Sequence, residues 1–314
     1  MKIKLFTISN LLTLSNLLCG MIATVAILTD GDLHLAFWLL VLATLLLLLW
    51  PRRVTLDGLN SPHAILLQAD SGEVLAEKDA DSTIYPASMT KMMTTLLAIE
   101  ANPDLDTPVT LPEEIFPALQ AQNASLAGFQ AGETATVRDL LYGAMLPSGA
   151  ECCEALAREV SGSEEAFVAR MNQRAKELGC TSTSFTCVHG LYDYGNVSSA
   201  HDLALIAKSC AENETYMQVA NTLSYTLPAT NLHQNERTIT STNLMLNPEY
   251  PYYRDYIRGM KTGFTTLAGR CYVTFAQKDG HTYGLVVLGS DLDNIYREAS
   301  EILDWAFASF SDRE

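Results

Sequence analysis

Positive charge is scarce in this chain of 314 residues. Lys and Arg number 20 against 36 Asp and Glu, a formal net charge of −16. Nucleic-acid binding relies on basic surface to neutralise phosphates, so the balance argues against it. Metal-ligand spacing is also missing, because the six histidines form no pattern of the H-E-x-x-H kind. Disorder is not expected either, since 48% of residues are hydrophobic and they occur throughout. Cysteines are few and odd in number, at seven. Cys152 and Cys153 are adjacent, which makes a mutual bridge geometrically difficult, while Cys180 and Cys187 could pair. Small buried residues are the expected role for most of them. Cys271 could lie near a functional site, although packing is favoured for it.

What is present divides into two unlike parts. Residues 1–53 carry four basic and two acidic side chains, for +2, and the remainder carries −18. Two apolar stretches follow Met1. Residues 8–29 are interrupted by Ser9, Asn10, Thr13, Ser15 and Asn16, whereas residues 33–50 contain only His34 and Thr44 as polar positions. The second approaches the ~20 residues needed to cross a bilayer. It ends in LLLLLWPRR rather than a small-residue cleavage site, so a membrane anchor fits better than a cleaved signal peptide. If both stretches cross, Lys2/Lys4 and Arg52/Arg53 place the following domain in the cytoplasm. If only the second crosses, the domain lies outside. The strings KLFTISNLLTLSNLLCG and GDLHLAFWLLVLA resemble the N-terminus of bacterial CDP-diacylglycerol–serine O-phosphatidyltransferases over about the first 43 residues. The metal-binding D-G…A-R…G…D…D motif of that family does not follow. The resemblance therefore implies a borrowed or fused anchor and no phosphatidyltransferase chemistry.

The expected domains are an apolar membrane segment at 1–53, a polar linker at 54–61 and a catalytic domain at 62–314. His63–Gln68 and Glu73–Glu77 read as a hairpin across Asp70-Ser71-Gly72. SMTKMMTTLLAIEA reads as a helix, lacking Gly and Pro and rich in unbranched side chains. Thr136-Val137-Arg138-Asp139 has capping-box spacing ahead of a further helix. Helices are expected at 151–160, 164–178, 200–211 and 294–310, and strands at 270–277 and 282–289 around Asp279-Gly280. Strands at both ends with helices between predict an α/β (α+β) fold: one sheet sewn from both termini, plus an inserted helical lobe.

Three short elements carry chemistry. In Ser88-Met89-Thr90-Lys91 a hydroxyl and an amine lie one helical turn apart on one face. Serine is a weak nucleophile, and a desolvated lysine can serve as its base. The helix N-terminus would add backbone N–H groups for an oxyanion. Alone, S-x-x-K is common by chance, and a capping serine with a solvated lysine explains it equally well. Ser148-Gly149, in MLPSGAECC, could present a second hydroxyl from a loop, or mark an ordinary turn. Lys261-Thr262-Gly263, in GMKTGFTTLAGR, suits a substrate carboxylate along a strand edge, or an exposed strand lysine.

In this order the elements resemble the S-x-x-K, S-x-N and K-T-G motifs of penicillin-binding proteins and serine β-lactamases. The strings YPASMTKMMT, TVRDLLYGAMLPSG, HGL at 189–191 and GMKTGFTTLAG are similar to the low-molecular-mass D-alanyl-D-alanine carboxypeptidases, serine peptidase family S11. The likeness runs from about residue 62 to 307. It implies a mainly antiparallel sheet flanked by helices, with a helical lobe. The second, all-β domain of that family and its C-terminal amphipathic anchor are not expected in a sequence ending at Glu314, so the N-terminal stretch would be the anchor. The resemblance implies that Ser88 attacks the carbonyl between the two terminal D-alanines of a peptidoglycan stem peptide. Lys91 would accept its proton, and Ser148 would relay one to the leaving amine. Lys261 and Thr262 would hold the terminal carboxylate, with Gly263, Phe264 and Thr265 along the substrate. The N–H groups of Ser88 and Phe264 would form the oxyanion hole. No metal or organic cofactor is expected; β-lactams are the implied inhibitors. The implied location is a bacterial cell membrane with the catalytic domain extracytoplasmic, on the side that the N-terminal charge pattern disfavours.

One position departs from the motif: residue 150 is Ala where S-x-N has Asn. Losing that amide could cost roughly 1–3 kcal/mol of transition-state stabilisation. Glu151 and Asn123 are the conceivable substitutes. A catalytically impaired penicillin-binding module is the alternative this change suggests. A class A β-lactamase is a weaker one, because no E-x-x-L-N string lies between Ser148 and Lys261.

Overall fold

The computed structural model describes residues 54–310 apart from position 57, together with residues 37–39 and 41. The chain divides into two compact units, 1–52 and 53–314, and the fold that follows is that of the second. The apolar stretches expected to anchor the chain lie almost wholly outside the described residues. Among the described residues no helix is long and apolar enough to cross a membrane.

In chain order the elements begin with β1 (Val54–Thr55), β2 (His63–Gln68), β3 (Val74–Lys78), α1 (Thr90–Ala101), β4 (Pro108–Thr110), α2 (Phe116–Ala121) and β5 (Thr134–Thr136). Next come α3 (Val137–Met145), α4 (Ala150–Ser161), α5 (Glu164–Glu177), α6 (Ala200–Ala211) and α7 (Glu214–Ala220). The hairpin strands β6 (Ser224–Leu227) and β7 (Arg237–Thr240) precede β8 (Ile257–Thr265), β9 (Gly269–Lys278), β10 (His281–Ser290) and α8 (Leu292–Phe310).

The main sheet has the order β1-β3-β2-β10-β9-β8, so its N-terminal strands meet its C-terminal ones at the β2–β10 pair. That junction is antiparallel, as are all neighbours except the β1–β3 pair. The period of two along each strand divides the core into two layers. Ile65, Leu67, Val273, Phe275, Val286 and Leu288 face the helical lobe. Ala64, Leu66, Tyr272, Ala276, Leu285 and Val287 face α8. The β9–β10 turn falls at Asp279-Gly280, both with positive φ, as a tight primed turn requires.

Helix α1 forms the centre of the lobe. Ten of its twelve residues are buried, Lys91 the one charged group among them. The capping box at α3 is present in full: Thr136 Oγ1 accepts from the Asp139 amide, and Asp139 accepts from the Thr136 amide.

The stretch 54–61, expected as a linker, instead contributes Val54, Thr55 and Ser61 to the domain. Val54 and Thr55 pair with Ala76 and Glu77, which satisfies the outer edge of β3. Ser61 is fully buried and bonded to the buried Glu298 carboxylate, which also accepts from the Asn60 amide at 2.5 Å. The possible Cys180–Cys187 bridge does not form, and both thiols are free and buried. The extent of strand β8 escaped the sequence reading, which placed only Lys261–Gly263 on a strand edge. Its two glycines and its polar residues break the apolar alternation, because one side of this edge strand faces the site.

A bulge in β8 aims the site. The register with β9 shifts by one residue between Arg258 and Lys261. In an unbroken register Lys261 would oppose Tyr272 and point towards α8. With the shift, Lys261 opposes Val273 and turns towards the helical lobe.

Candidate active site

Ser88 sits in a short 3-10 turn, Ala87–Met89, that runs directly into α1. Ala87 has φ +47° and is held by close packing on two sides. A Cβ at Gly190 would stand 1.8 Å from the Ala87 carbonyl oxygen, and one at Gly263 would stand 3.1 Å from the Ser88 amide nitrogen. Glycine at both positions therefore lets a loop and the β8 edge close on the serine.

The three hydroxyl and amine groups form a chain. Lys91 Nζ donates to Ser88 Oγ at 3.1 Å, and Ser148 Oγ donates to the same oxygen at 3.0 Å. Lys91 Nζ also donates to the His189 carbonyl at 2.5 Å, which fixes the amine beside the hydroxyl. Burial pushes Lys91 below the usual lysine range, so more of it is neutral and able to take a proton. Ser148 follows α3 in a backbone conformation with φ +65°, a strained setting for a residue with a side chain.

Lys261 is 1% exposed and donates to the Thr262 carbonyl at 2.9 Å. Burial, and then the nearby Lys91, push it down to about 7. Thr262 Oγ1 lies 2.6 Å from Thr242 Oγ1, and Tyr296 donates to the Thr242 carbonyl at 3.2 Å. Ser88, Ser148, Thr262, Gly263 and Phe264 line one cleft of about 210 Å³, with Ser125, Thr242, Arg270, Cys271 and Tyr296 among the other walls. Lys91 and Lys261 lie behind these walls, and Thr265 lies just beyond them on β8.

Four of these residues were not found from sequence: Ser125, Thr242, Arg270 and Tyr296. Arg270 carried a usable signal, because closing the β8–β9 hairpin puts it opposite Phe264. Its guanidinium lies 4.5 Å from the Phe264 ring centre, and among the described residues it is the one charged side chain lining the cleft. Thr242 and Ser125 reach the site over long sequence separations and carry no local signal.

Neither suggested substitute for the missing Asn reaches the site. One Glu151 oxygen accepts from the amides of Ala127, Gly128 and Phe129 at 2.6, 3.0 and 3.4 Å, which holds the loop that carries Ser125. Asn123 is exposed in a positive-φ turn. Ala150 is buried at the start of α4, and its amide donates to the Ser125 carbonyl.

Behind Lys91, His189 organises a loop. Its Nδ1 accepts from the Leu191 amide, so the proton of the neutral ring sits on Nε2, 3.6 Å from Glu154. Burial and Lys91 hold His189 down at about 3. Glu154, Glu164 and His189 bring ligand-type atoms within 4.8 Å of one another. An Nε2 that bears the proton offers no lone pair there, so the set reads as a hydrogen-bonded cluster.

A nucleophilic hydroxyl, a desolvated amine, a second hydroxyl and an edge strand thus share one cleft. The model of the D-alanyl-D-alanine carboxypeptidase family, peptidase S11, matches residues 52–292. The chain belongs to this family. Similar S11 relatives include D-alanyl-D-alanine carboxypeptidase DacF of Bacillus subtilis, 34% identical over 80% of this chain and 63% of its own length. DacC of Escherichia coli is 35% identical over 78% and 61%. The chain therefore spans about three fifths of these two relatives. The Streptomyces K15 DD-transpeptidase structure superposes with a TM-score of 0.74 at 30% identity, covering 80% of this chain and 98% of that one. The mixed α/β fold expected from sequence, with an antiparallel sheet and flanking helices, is that of these S11 and DD-peptidase neighbours.

Proposed function

We propose that this chain is a serine-type D-Ala-D-Ala carboxypeptidase acting on peptidoglycan stem peptides. The observation that carries the reading is the unbroken contact chain Lys91 Nζ–Ser88 Oγ–Ser148 Oγ, with links of 3.1 and 3.0 Å. Ser88 Oγ attacks the carbonyl carbon between the two D-alanines and passes its proton to Lys91. The tetrahedral oxyanion is held by the amides of Ser88 and Phe264. Ser148 relays a proton to the leaving nitrogen, the C–N bond breaks, and D-alanine departs. Water then attacks the acyl ester, returning the proton to Ser88 and releasing the shortened peptide.

Lys261, Thr262 and Thr242 bind the terminal carboxylate. Arg270 joins them as the cation that faces the cleft, while Gly263, Phe264 and Thr265 run beside the peptide backbone. β-Lactams acylate Ser88 by the same attack. Residues 1–53 act as a membrane segment that keeps the catalytic domain, which takes in Val54 onward, outside the cytoplasm of a bacterial cell; the apolar runs support this, and the substrate requires it.

Mass spectrometry of a stem pentapeptide incubated with wild type and with Ser88→Ala tests the reading. Loss of one alanine with wild type alone is expected. Full activity in Ser88→Ala would overturn the mechanism.

A further inference from the structure

The chemistry leaves two buried carboxylates on α4 without a part in it. That helix starts directly after Ser148-Gly149 and carries Glu151 and Glu154, 0% and 5% exposed. Burying a carboxylate is costly unless it is paired or hydrogen-bonded, so each calls for a reason. Glu151 has one in the loop that carries Ser125. Glu154, about one helical turn further on, reaches a different loop, residues 187–191.

That loop touches the base. With one N–H held by the His189 carbonyl, a neutral Lys91 amine can turn its lone pair to Ser88 Oγ, 3.1 Å away. Thr94 Oγ1 on α1 donates to the Val188 carbonyl at 2.7 Å. Two bonds close the loop on itself, from the Gly190 amide to Cys187 Sγ and from the Leu191 amide to His189 Nδ1. Among the described residues, its polar ties to α4 and α5 are two carboxylates. Glu164 Oε1 accepts from the Val188 amide at 3.2 Å, and Glu154 Oε1 faces the Nε2–H of His189 at 3.6 Å. Burial, and then the neighbouring Glu164, push Glu154 up to about 7. A proton on Glu154 removes the repulsion between the two acids and still leaves an oxygen for Nε2–H.

We infer that Glu154 is a positioning residue for the base: with Glu164 it fixes the loop 187–191 from behind and so keeps the His189 carbonyl on Lys91. The inference rests on the proposed role of Lys91. A carboxyl group accepts from Nε2–H whether charged or neutral, so the role asks for an acceptor of the right reach and not for a charge.

The test is acylation by benzylpenicillin, stopped at intervals and read by intact mass. It gives a saturating rate, a binding constant before acylation and a final number of adducts per chain. Glu154→Leu removes the acceptor, and Glu154→Asp withdraws it by a methylene. Both are expected to lower the saturating rate about ten-fold, with the binding constant and the final adduct number unchanged. A merely structural loss would lower the adduct number instead, since unfolded chains do not react. Glu154→Gln keeps the acceptor and the length, and its rate should stay close to that of wild type. Wild-type rates in the Leu and Asp variants, a slow Gln variant, or a loss of adduct number alone would each overturn the inference. A Lys91→Met variant that acylates at the wild-type rate would overturn the role of Lys91, and the inference with it.

Discussion

Replacing Arg270 by Gln tests how the terminal carboxylate is held. Lys261 is almost fully buried, spends a proton on the Thr262 carbonyl, and is pushed down to about 7, so near neutrality it is only partly charged. The Arg270 guanidinium can offer two parallel N–H groups to a carboxylate. Two unit charges 4 Å apart near a protein surface attract by about 4 kcal/mol before desolvation is counted. Arg270 is half-buried, so the net loss should lie nearer the 1.5–3 kcal/mol typical of a hydrogen bond to a charged group. That corresponds to a roughly ten- to hundred-fold fall in kcat/KM. The assay is D-alanine release from a peptide ending in a free carboxylate, set beside D-alaninamide release from its C-terminal amide. Arg270→Gln should lose activity on the first and little on the second. Arg270→Lys should fall between, since it keeps charge but loses the flat stack on Phe264 and the two-pronged geometry. Equal losses on both substrates, or no loss on either, would refute the assignment.

Three further outcomes follow from the same geometry. As pH rises through about 7 the Lys261 ammonium is lost, so KM for the free-carboxylate peptide should rise while that for the amide stays flat; kcat should climb as more Lys91 becomes neutral. Steady-state kinetics from pH 6 to 9 would show a KM independent of pH if Lys261 did not contact the carboxylate. Gly190→Ala forces a Cβ against the Ala87 carbonyl at a φ of +77°, and should cost about 3 kcal/mol or more together with most of the activity, read by thermal unfolding and D-alanine release. Glu133 is fully buried and accepts from Arg237, His233 and Thr230, tying the β6–β7 hairpin to the lobe. Glu133→Ala should destabilise the domain by about 3–5 kcal/mol in denaturant unfolding, and an unchanged midpoint would show the tie to be idle.

The elements legible in the sequence are those whose reasons are local. Helix α6 was read residue for residue, because Ser199 caps it and its apolar positions recur at helical spacing. The β9–β10 hairpin was marked by Asp279-Gly280. The extent of strand β8 was not legible beyond Lys261–Gly263, since its pattern answers to the cleft and to a bulge that only pairing with β9 defines. The same holds within the site. Ser88 and Lys91 are one turn apart and announce each other, whereas Thr242 meets Thr262 only after the chain has folded. Glu151 misled for a related reason. Its place beside the motif suggested chemistry, but one of its carboxylate oxygens is engaged by three backbone amides 22 to 24 residues earlier. The first 53 residues carry a clear apolar pattern, yet the folded domain begins by recruiting Val54 and Thr55 into its sheet rather than leaving them as a spacer.

The central claim is that Ser88, with Lys91 as its base, forms the acyl-enzyme. Intact-mass measurement after a brief exposure to benzylpenicillin, followed by peptide mapping, addresses it most directly. One penicilloyl adduct is expected on the peptide containing Ser88, with no adduct in Ser88→Ala and greatly slowed formation in Lys91→Met. An adduct that maps elsewhere, or that persists in Ser88→Ala, would contradict it.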